Sequence, residues 1–218
     1  MKILITGGLG YIGSHLTVLM NSKGFEVIIL DNLANSDIST LEKINNITGK
    51  NNFFIEGDLS DESDYAELLN INKIDTVIHL AGYKSVSESL KTPLEYYRNN
   101  LIGTLNLLNF TREKNINKFV FSSSATVYGD KNDSPIKESG LKSPINPYGD
   151  IKLQIEKLLE TISFSSKNFS CVSLRYFNPV GSDKSGLLGD NPKNKSNNIM
   201  PILMNVAIKK EKLFYVYG

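Results

Sequence analysis

Cysteine, histidine and tryptophan are scarce in this sequence. Its 218 residues include one cysteine, two histidines and no tryptophan. A single cysteine excludes an internal disulfide, and Cys171, inside an apolar run, is predicted to be a buried structural thiol. His15 and His79 are predicted to be satisfied histidines inside a helix and a strand. With so few isolated ligands, the sequence predicts no metal site, because such sites need His, Cys or acidic side chains in clusters.

A charge imbalance and long hydrophobic runs are also lacking. The 24 basic and 23 acidic residues leave a formal net charge of +1, so no global field attracts nucleic acid or an acidic surface. No apolar run approaches the roughly 18 residues that span a membrane. The N-terminal MKILITGG enters a strand with no signal peptide ahead of it. We therefore expect a soluble, cytoplasmic protein with no nucleic-acid and no membrane partner.

The sequence does contain a regular alternation of short apolar runs and amphipathic segments. Strands are predicted at 2–6, 26–30, 53–57, 75–80, 118–122 and 170–176, and helices at 11–22, 62–70, 94–114 and 147–162. Nearly continuous hydrophobic strands are typical of a parallel sheet that is covered on both faces. The βαβα order predicts an α/β fold with a doubly wound, Rossmann-like parallel sheet.

The composition changes after residue 176. Residues 181–198 are rich in Gly, Asn, Ser and Lys and predict a long loop, followed by a helix at about 199–209 and a strand in LFYVYG. So short a segment cannot build a core of its own. We predict that residues 1–176 form one domain and that residues 177–218 open a smaller, truncated lobe.

The segment GGLGYIG, residues 7–13, follows the first strand and opens the first helix. Gly8, Gly10 and Gly13 fit G-x-G-x-x-G, and Gly7 fits a variant of that spacing. Such glycines make a tight turn, let the backbone approach a pyrophosphate and let helix and strand pack closely. The alternative is an ordinary glycine turn, but the strand–loop–helix context favours dinucleotide binding.

Polar residues after the next strands extend this prediction. Asp31 ends the second strand, where a carboxylate accepts hydrogen bonds from ribose hydroxyls and repels a 2′-phosphate, so NAD is favoured over NADP. Asp58 and Leu59 follow the third strand and could contact the adenine, although a turn or helix cap is an equally open reading. Lys84, after the fourth strand, could meet a cofactor hydroxyl or phosphate.

Two further segments contain candidate catalytic residues. Serines in FSSSATVYGD end the fifth strand, where parallel sheets bind ligands, and Ser124 or a neighbour could donate to a substrate oxygen. Tyr148 and Lys152 are four residues apart on one helix face. Tyrosine is a poor base, but a lysine ammonium and a positively charged nicotinamide would favour its phenolate. Chance explains a Tyr-x-x-x-Lys pair alone, but less readily the whole order of segments.

These residues resemble the extended short-chain dehydrogenase/reductase family. The resemblance runs through TGGLGYIGSH, VIILDNL, EGDLSD, DTVIHLAG, PLEYYRNN, FSSSATVYGD, SPINPYGDIK, LRYFNPVG and NNIMP. Within that family, SSSATVYG and RYFNPVG together are most similar to the UDP-glucose 4-epimerases. Related dehydratases usually carry an acidic pair where this chain has Ala125 and Thr126, which argues against dehydration.

The resemblance implies an NAD-dependent isomerase that interconverts UDP-galactose and UDP-glucose by inversion at C4 through a 4-keto intermediate. It implies that Tyr148 is the base, that Lys152 lowers the tyrosine pKa and binds the nicotinamide ribose, and that Ser124 bonds the reacting oxygen. The implied NAD contacts are Gly7, Gly10, Tyr11, Ile12, Gly13, Asp31, Asn32, Asp58, Leu59, Leu80, Ala81, Gly82, Lys84, Asn99, Ser122, Tyr148, Lys152 and Tyr176. The implied substrate contacts are Lys84, Ser124, Tyr148, Asn178, Asn198, Ile199, Phe214, Tyr215, Val216 and Tyr217.

Other readings stay open at this point. One is another NAD-dependent sugar-nucleotide enzyme, a dehydratase or a decarboxylase, and another is a catalytically silent NAD-binding module. Family members continue past Gly218, so the chain is expected to be incomplete and could be inactive alone. The resemblance also implies a homodimer, formed through helices 94–114 and 147–162 in a four-helix bundle.

Overall fold

A six-stranded parallel sheet forms the centre of the computed structural model, which describes residues 1–191 and 199–214. Strands β1 to β6 are Lys2–Thr6, Glu26–Asp31, Phe53–Glu56, Thr76–His79, Lys118–Ser124 and Ser170–Tyr176. Their order is β3-β2-β1-β4-β5-β6, and all neighbours are parallel. The predicted doubly wound sheet is confirmed. Its order reverses between β1 and β4, where such sheets bind ligands at the carboxyl ends of the strands.

Most of the helices lie between these strands along the chain, and the last one follows β6. Helices α1 to α7 are Tyr11–Ser22, Ser39–Thr48, Val86–Ser89, Pro93–Tyr96, Gly103–Glu113, Pro147–Ser165 and Ile199–Ala207. Two 3₁₀ helices, Glu62–Asn70 and Ala125–Tyr128, follow β3 and β5. The sequence did not predict α2, a short helix in which few apolar residues stand among polar ones and only Ile44 is buried. Of the helices in the described ranges, none has the length and apolarity needed to cross a membrane.

Both faces of the central strands are buried, as their continuous hydrophobic sequences require. Leu4 packs into one core cluster, and its neighbours Ile3 and Ile5 pack into a second. This division follows from the alternation of side chains along a strand. The sheet is therefore fixed from both sides, and its carboxyl edge is a rigid base for the loops that follow each strand.

The segment predicted as one helix at 94–114 is divided in three. A π-helix, Tyr97–Ile102, separates α4 from α5. Within it, Asn100 is 3% exposed. Its side chain accepts a hydrogen bond from the Tyr83 backbone N–H at 2.7 Å and donates one to the Tyr83 carbonyl at 2.9 Å. The π-helix, a form often found at functional sites, thus holds the loop that follows β4.

Helix α6 begins as its sequence predicts. The Asn146 side chain caps it by accepting a hydrogen bond from the Gly149 N–H at 2.8 Å, and Pro147 occupies the first turn. Ile151, Ile155 and Leu159 form its buried stripe. The helix ends at Ser165, three residues beyond the predicted end, and it runs antiparallel to the sheet between β5 and β6.

The chain after β6 returns to the first strand. Leu188 is 4% exposed and packs in the cluster that contains Ile3, Ile5 and Leu9. The Tyr11 hydroxyl donates to the Gly181 carbonyl at 2.7 Å. The predicted loop is present as far as residue 191. Leu213 and Phe214 belong to no strand, and the rest of the predicted strand lies outside the described residues.

Candidate active site

In the loop between β1 and α1, the neighbouring backbone leaves no room for a side chain at Gly7 and Gly13. Gly7 has a φ of +69°, and a Cβ there would lie 2.7 Å from the Ala81 backbone nitrogen. A Cβ at Gly13 would collide with the Gly7 carbonyl oxygen, whereas at Gly10 the nearest atom would be that oxygen at 3.3 Å. Gly7 therefore makes the turn, Gly13 allows close helix–strand packing, and Gly10 leaves room for a ligand to approach the backbone.

Helix α1 starts directly after this loop. Gly10 is its N-cap, and within the described residues no side chain caps the helix and no acidic residue occupies its first turn. The first N–H groups of a helix lack intrahelical partners, and the helix dipole favours negative charge at that end. An open, uncapped N-terminus at the carboxyl edge of β1 is suited to a diphosphate.

Asp31, at the end of β2, supports the same loop. Its Oδ2 accepts a hydrogen bond from the Leu9 N–H at 3.0 Å, and its Oδ1 accepts from the Leu33 N–H at 3.0 Å and the Ser36 hydroxyl at 2.7 Å. A carboxylate has roughly four acceptor positions, so these three bonds leave capacity for one ribose hydroxyl. Through its bond with the Leu9 N–H, Asp31 also orders the glycine loop, a role that was not predicted from the sequence.

Asn32, Asp58 and Leu59 are brought together beside Asp31. The Asn32 amide donates to Asp58 Oδ2 at 2.9 Å, and the Ser60 N–H donates to Asp58 Oδ1 at 2.8 Å. Burial opposes ionisation of Asp58, but the hydrogen bonds from Ser60 and Asn32 hold its pKa below the ordinary value. The Leu59 side chain is buried in the core, so only its backbone is open to a ligand.

The loop after β4 faces the glycine loop. Ala81 lies against Gly7, and Gly82 has a φ of +146° with Asn100 Oδ1 3.0 Å from the position of a Cβ. Asn99 Oδ1 lies 3.3 Å from the Tyr83 backbone nitrogen. Lys84, with half of its side chain exposed, forms a 3.9 Å ion pair with Asp190 in the segment after β6.

The candidate catalytic residues meet at the ends of β5 and α6. Lys152 is 4% exposed, and its ammonium donates to the Ser122 carbonyl at 2.7 Å. The same Nζ lies 4.7 Å from the centre of the Phe121 ring and 5.6 Å from that of the Tyr148 ring. Burial lowers the pKa of Lys152 to about 8. An ammonium has three donors, so two are available for a ligand.

The chain alone does not lower the pKa of Tyr148, contrary to what the lysine spacing suggested. Burial raises that pKa, and a hydrogen bond from Ser124 only partly offsets the rise. Lys152 contacts the face of the tyrosine ring. A phenolate at neutral pH therefore needs further positive charge, which we expected from the sequence to come from a bound nicotinamide.

A buried polar network that was not predicted from the sequence lies behind these residues. Glu156, 2% exposed, accepts hydrogen bonds from Arg175 Nε at 2.9 Å, Arg175 Nη2 at 2.8 Å and the Ser123 hydroxyl at 2.5 Å. Arg175 Nη1 donates to the Tyr128 hydroxyl at 2.7 Å. Glu156 lies one helical turn after Lys152, and a charged residue on the buried side of a helix is the signal that could have revealed the network.

The two histidines and the cysteine contact other parts of the fold and are not grouped with one another. His79 is buried between the Thr6 and Thr104 hydroxyls, 2.7 Å from Nδ1 and 2.9 Å from Nε2, which confirms the satisfied core histidine. His15 Nδ1 lies 2.8 Å from the Tyr11 carbonyl, but its buried Nε2 has no hydrogen-bond partner among the described residues, so the prediction of a satisfied histidine is wrong for that nitrogen. Cys171 is only half-buried, unlike the prediction. Among the residues described here, no three His, Cys, Asp or Glu side chains are grouped to hold a metal ion.

The remaining predicted contacts lie toward the end of the chain. Tyr176 is half-buried at the end of β6, whereas Asn178 and Ile199 are exposed. Phe214 is half-buried and belongs to no helix or strand. Four residues predicted to contact the substrate lie outside the described part of the chain: Asn198, Tyr215, Val216 and Tyr217.

Known sequences and structures resemble the chain along its whole length. UDP-glucose 4-epimerase of Haemophilus influenzae is 46% identical over 219 residues, covering 100% of this chain and 65% of the relative. UDP-glucose 4-epimerase of Dictyostelium discoideum is 44% identical over 217 residues, covering 100% of this chain and 63% of the relative. This chain thus spans a little under two thirds of the length of these relatives.

Solved structures show the same likeness. UDP-glucose 4-epimerase from Bifidobacterium longum, in complex with NAD⁺ and UDP, superposes with a TM-score of 0.95 at 43% identity, over 100% of this chain and 65% of that one. The enzyme from Stenotrophomonas maltophila, with bound NAD and formylated UDP-arabinopyranose, gives 0.95 at 40% identity with the same coverage. The sequence model of the NAD dependent epimerase/dehydratase family matches residues 3–218. The chain therefore belongs to the NAD-dependent epimerase/dehydratase family.

Proposed function

We propose that this chain carries the cofactor site and catalytic residues of a UDP-glucose 4-epimerase. The reaction is the interconversion of UDP-galactose and UDP-glucose by inversion at C4 through a 4-keto intermediate. The observation that carries the proposal is the convergence of Ser124, Tyr148 and Lys152 at the carboxyl end of β5, on the sheet edge that also holds the glycine loop. The likeness to UDP-glucose 4-epimerases supports it.

The residues present fit NAD as the cofactor. The space at Gly10 and the uncapped start of α1 suit its diphosphate, and Asp31 suits the adenosine ribose. The other residues proposed to contact the bound NAD are Gly7, Tyr11, Ile12, Gly13, Asn32, Asp58, Leu59, Leu80, Ala81, Gly82, Lys84, Asn99, Ser122 and Tyr176. When bound, NAD⁺ would supply the acceptor for the hydride that leaves C4 of the hexose, and the reduced cofactor would supply that hydride for return to the 4-keto intermediate.

The chain's own groups move the proton. Tyr148 takes the proton of the hexose 4-hydroxyl as a general base and returns it as an acid. Ser124 bonds the same oxygen, and Lys152, held by the Ser122 carbonyl, has donors left for a ribose hydroxyl. Because burial alone raises the pKa of Tyr148, the phenolate forms only when positive charge is nearby. Tyr148 therefore acts as a base when NAD⁺ is bound in the site.

The alternatives lack comparable support. Dehydration across C5 and C6 needs an acid and a base after β5, and Ala125 and Thr126 provide neither. A silent NAD-binding module would need no aligned Ser124, Tyr148 and Lys152. The alternatives also differ in their products, which a direct assay of sugar nucleotides distinguishes.

Residues 177–218 are proposed to begin the substrate lobe, after an NAD-binding domain of residues 1–176. Tyr11 with Gly181, and Lys84 with Asp190, join this segment to the cofactor side. On this proposal the UDP-hexose contacts come from Asn178, Asn198, Ile199, Phe214, Tyr215, Val216 and Tyr217.

A homodimer through the helices at 94–114 and 147–162 is also proposed. The two segments lie side by side, since the Tyr97 hydroxyl donates to Asp150 at 2.6 Å. Leu94, Ile102 and Leu105 expose 40–80% of their surface, as an interface between two copies requires. The mass of the purified chain in solution tests this proposal.

The proposed activity is tested by incubating the purified chain with UDP-galactose, without added NAD, and measuring UDP-glucose. NAD released on denaturation of the same sample reports the bound cofactor. Conversion would support both the function and tight cofactor binding. Bound NAD without conversion would assign the missing step to parts of the relatives that this chain does not span. Absence of both NAD binding and conversion, even with added NAD⁺, would contradict the proposal.

Cofactor preference should change when Asp31 is replaced. Asp31→Ala is expected to weaken NAD⁺ binding roughly ten- to hundredfold, because a charged hydrogen-bond acceptor is lost, and to relax discrimination against NADP⁺. Asp31→Asn is the less disruptive comparison, since its amide oxygen can still accept from the Leu9 N–H that orders the glycine loop, although its NH2 group replaces the oxygen that accepts from Leu33 and Ser36. Calorimetric titration with both cofactors measures the preference. Unchanged preference in both variants would remove Asp31 from ribose recognition.

A further inference from the structure

We propose that His79, with its proton on Nε2, connects the loop after β4 to the π-helix through hydrogen bonds and so holds that loop against the glycine loop. His79 is thus a positioning residue, because it is buried at the end of β4 and acts on the site through the loop that follows it. The consequence for NAD rests on the proposed function. The tautomer of His79 and the order of the loop are properties of this chain alone.

The imidazole of His79 lies between two threonine hydroxyls. Its Nδ1 is 2.7 Å from Thr6 Oγ1 on β1, and its Nε2 is 2.9 Å from Thr104 Oγ1 on α5. All three side chains are buried. Thr6 Oγ1 also accepts a hydrogen bond from the Ala81 N–H at 3.4 Å, and Thr104 Oγ1 donates one to the Asn100 carbonyl at 2.6 Å. We call these five residues the His79 relay.

The Thr104 hydroxyl fixes the tautomer of His79. Two oxygens 2.6 Å apart need a proton between them, and a carbonyl has none, so the Thr104 proton points to Asn100. The same hydroxyl can then only accept from His79, which places a proton on Nε2. Burial and the nearby Lys152 ammonium lower the pKa of His79 to about 3. The ring is therefore neutral, and its Nδ1 accepts from the Thr6 hydroxyl.

The two ends of the His79 relay hold the same loop. At one end, the Ala81 N–H donates to Thr6. At the other, the Asn100 side chain accepts from the Tyr83 N–H at 2.7 Å and donates to the Tyr83 carbonyl at 2.9 Å. Gly82, between these two contacts, has a φ of +146° and lies against Asn100 Oδ1. Relay and loop therefore form a closed ring of contacts, in which neighbouring hydrogen bonds strengthen one another.

The loop held in this way packs against the glycine loop. The Ala81 backbone nitrogen is 2.7 Å from the position of a Cβ at Gly7, and the Leu80 N–H donates to the Thr6 carbonyl at 3.1 Å. Thr6 joins the two loops, because it ends β1 directly before Gly7. Displacement of Ala81 would change the space in which NAD is proposed to bind. Loss of the relay should therefore loosen the loop and, as a consequence, weaken NAD binding.

The packing of the His79 ring is separate from its hydrogen bonds. The rings of Phe119 and Phe121 lie beside it, with centres 6.1 Å and 5.9 Å from that of the imidazole. Replacement of Thr104 by valine keeps the branched shape of the side chain and removes the hydroxyl. Such a change leaves the aromatic contacts in place and breaks the relay at the bond that sets the tautomer.

Nitrogen NMR of the imidazole tests the position of the proton. In His15→Gln, His79 is the only histidine, and long-range proton–nitrogen correlations in histidine-labelled protein distinguish its tautomers. A single Nε2–H tautomer is expected at neutral pH. If that variant does not fold, backbone assignment of the original chain identifies the ring. An Nδ1–H tautomer, or a protonated ring, would overturn the proposal.

Thr104→Val tests the connection to the loop. Hydrogen exchange of the Ala81 and Tyr83 amides is expected to become about tenfold faster, the size of one lost hydrogen bond. The ring should also shift toward the Nδ1–H tautomer, because of its two described partners only Thr6 remains. Thr104→Ser restores a hydroxyl and should keep the original exchange rates and tautomer. Thr104→Ala replaces Thr104→Val if the valine variant does not fold.

Thr111→Val is the matched control, because it also removes a buried threonine hydroxyl from α5. The Thr111 hydroxyl donates to the Leu108 carbonyl at 2.7 Å, and its position lies about 10 Å from Thr104 along the helix axis. This variant should leave the loop amides and the tautomer unchanged. Unchanged exchange or an unchanged tautomer in Thr104→Val, or equal effects of the two valine substitutions, would overturn the proposal.

Titration with NAD⁺ separates this inference from the proposed function. Thr104→Val is expected to weaken NAD⁺ binding about three- to tenfold, and Thr111→Val to leave it unchanged. An original chain that binds no NAD⁺ would contradict the proposed function, while the tautomer and the exchange rates would still decide this inference. Equal NAD⁺ affinity in both variants, despite a loosened loop in Thr104→Val, would overturn the role of His79 at the cofactor site.

Discussion

Replacement of Tyr148 by phenylalanine is expected to abolish the conversion of UDP-galactose while leaving NAD binding intact. The ring packs against the main core cluster, and phenylalanine retains that packing. Only the hydroxyl is lost, and with it the group that takes the proton. Loss of a positioned acid–base group costs about 10²- to 10⁴-fold in rate. The rate is measured as product formation, in this chain or, if it does not convert UDP-galactose, in a longer chain that does. Titration with NAD⁺ gives the affinity.

Tyr97→Phe is the matched control for the loss of a hydrogen-bonded tyrosine hydroxyl, in this case a partly buried one. That hydroxyl bonds to Asp150 and Gln154 on the side of α6 away from Ser124. The control should turn over at close to the unaltered rate. Equal rates for Tyr148→Phe and the original protein would remove Tyr148 from the mechanism, and lost NAD affinity would indicate a structural role instead.

Glu156→Leu is expected to produce the largest loss of stability, about 3 kcal/mol in the free energy of unfolding. The substitution leaves the Arg175 guanidinium largely buried without its carboxylate partner and removes the acceptor of the Ser123 hydroxyl. Arg175 retains some solvent access, so we place the loss at the lower end of values for broken buried pairs. Denaturant unfolding of the purified variant measures the change.

The double variant Glu156→Leu/Arg175→Met distinguishes the contribution of the ion pair from the cost of leaving Arg175 without its partner. Replacing both partners of a buried ion pair with apolar side chains is often neutral or stabilising. The double variant should therefore recover much of the stability that the single variant loses. A single variant within about 0.5 kcal/mol of the original protein would mean that water compensates Arg175 and that the network contributes little.

The strands could be predicted because their signals are local. β1 and β6 begin and end at the predicted residues. β1 is almost wholly buried and apolar, as expected of a central parallel strand, whereas the edge strand β6 alternates exposed and half-buried residues. Helix α6 has a cap and a proline at its start, and both are visible in the sequence. By contrast, α2 buries one residue, and the π-helix depends on tertiary contacts with Tyr83.

The candidate site divides in the same way. Ser124, Tyr148 and Lys152 could be proposed because their segments have recognisable order and spacing. Glu156 itself carried a signal, its charge on the buried side of α6, but its partner Arg175 could not be named, because the two residues come from separate elements and meet only when β6 lies beside β5. Asp31 was assigned to a ligand from its position, but its bond to Leu9 depends on how the glycine loop folds.

The length of the π-helix also fixes the relative orientation of two contacts that its residues make. Each residue of an ordinary α-helix turns the chain by about 100°, so removing one residue from Tyr97–Ile102 would rotate the preceding part relative to α5 by that angle. Tyr97 contacts Asp150 on one side, and Asn100 contacts Tyr83 on another. After such a deletion, both could not keep their partners. The length of this short segment, in addition to its composition, therefore fixes the loop after β4 relative to α6.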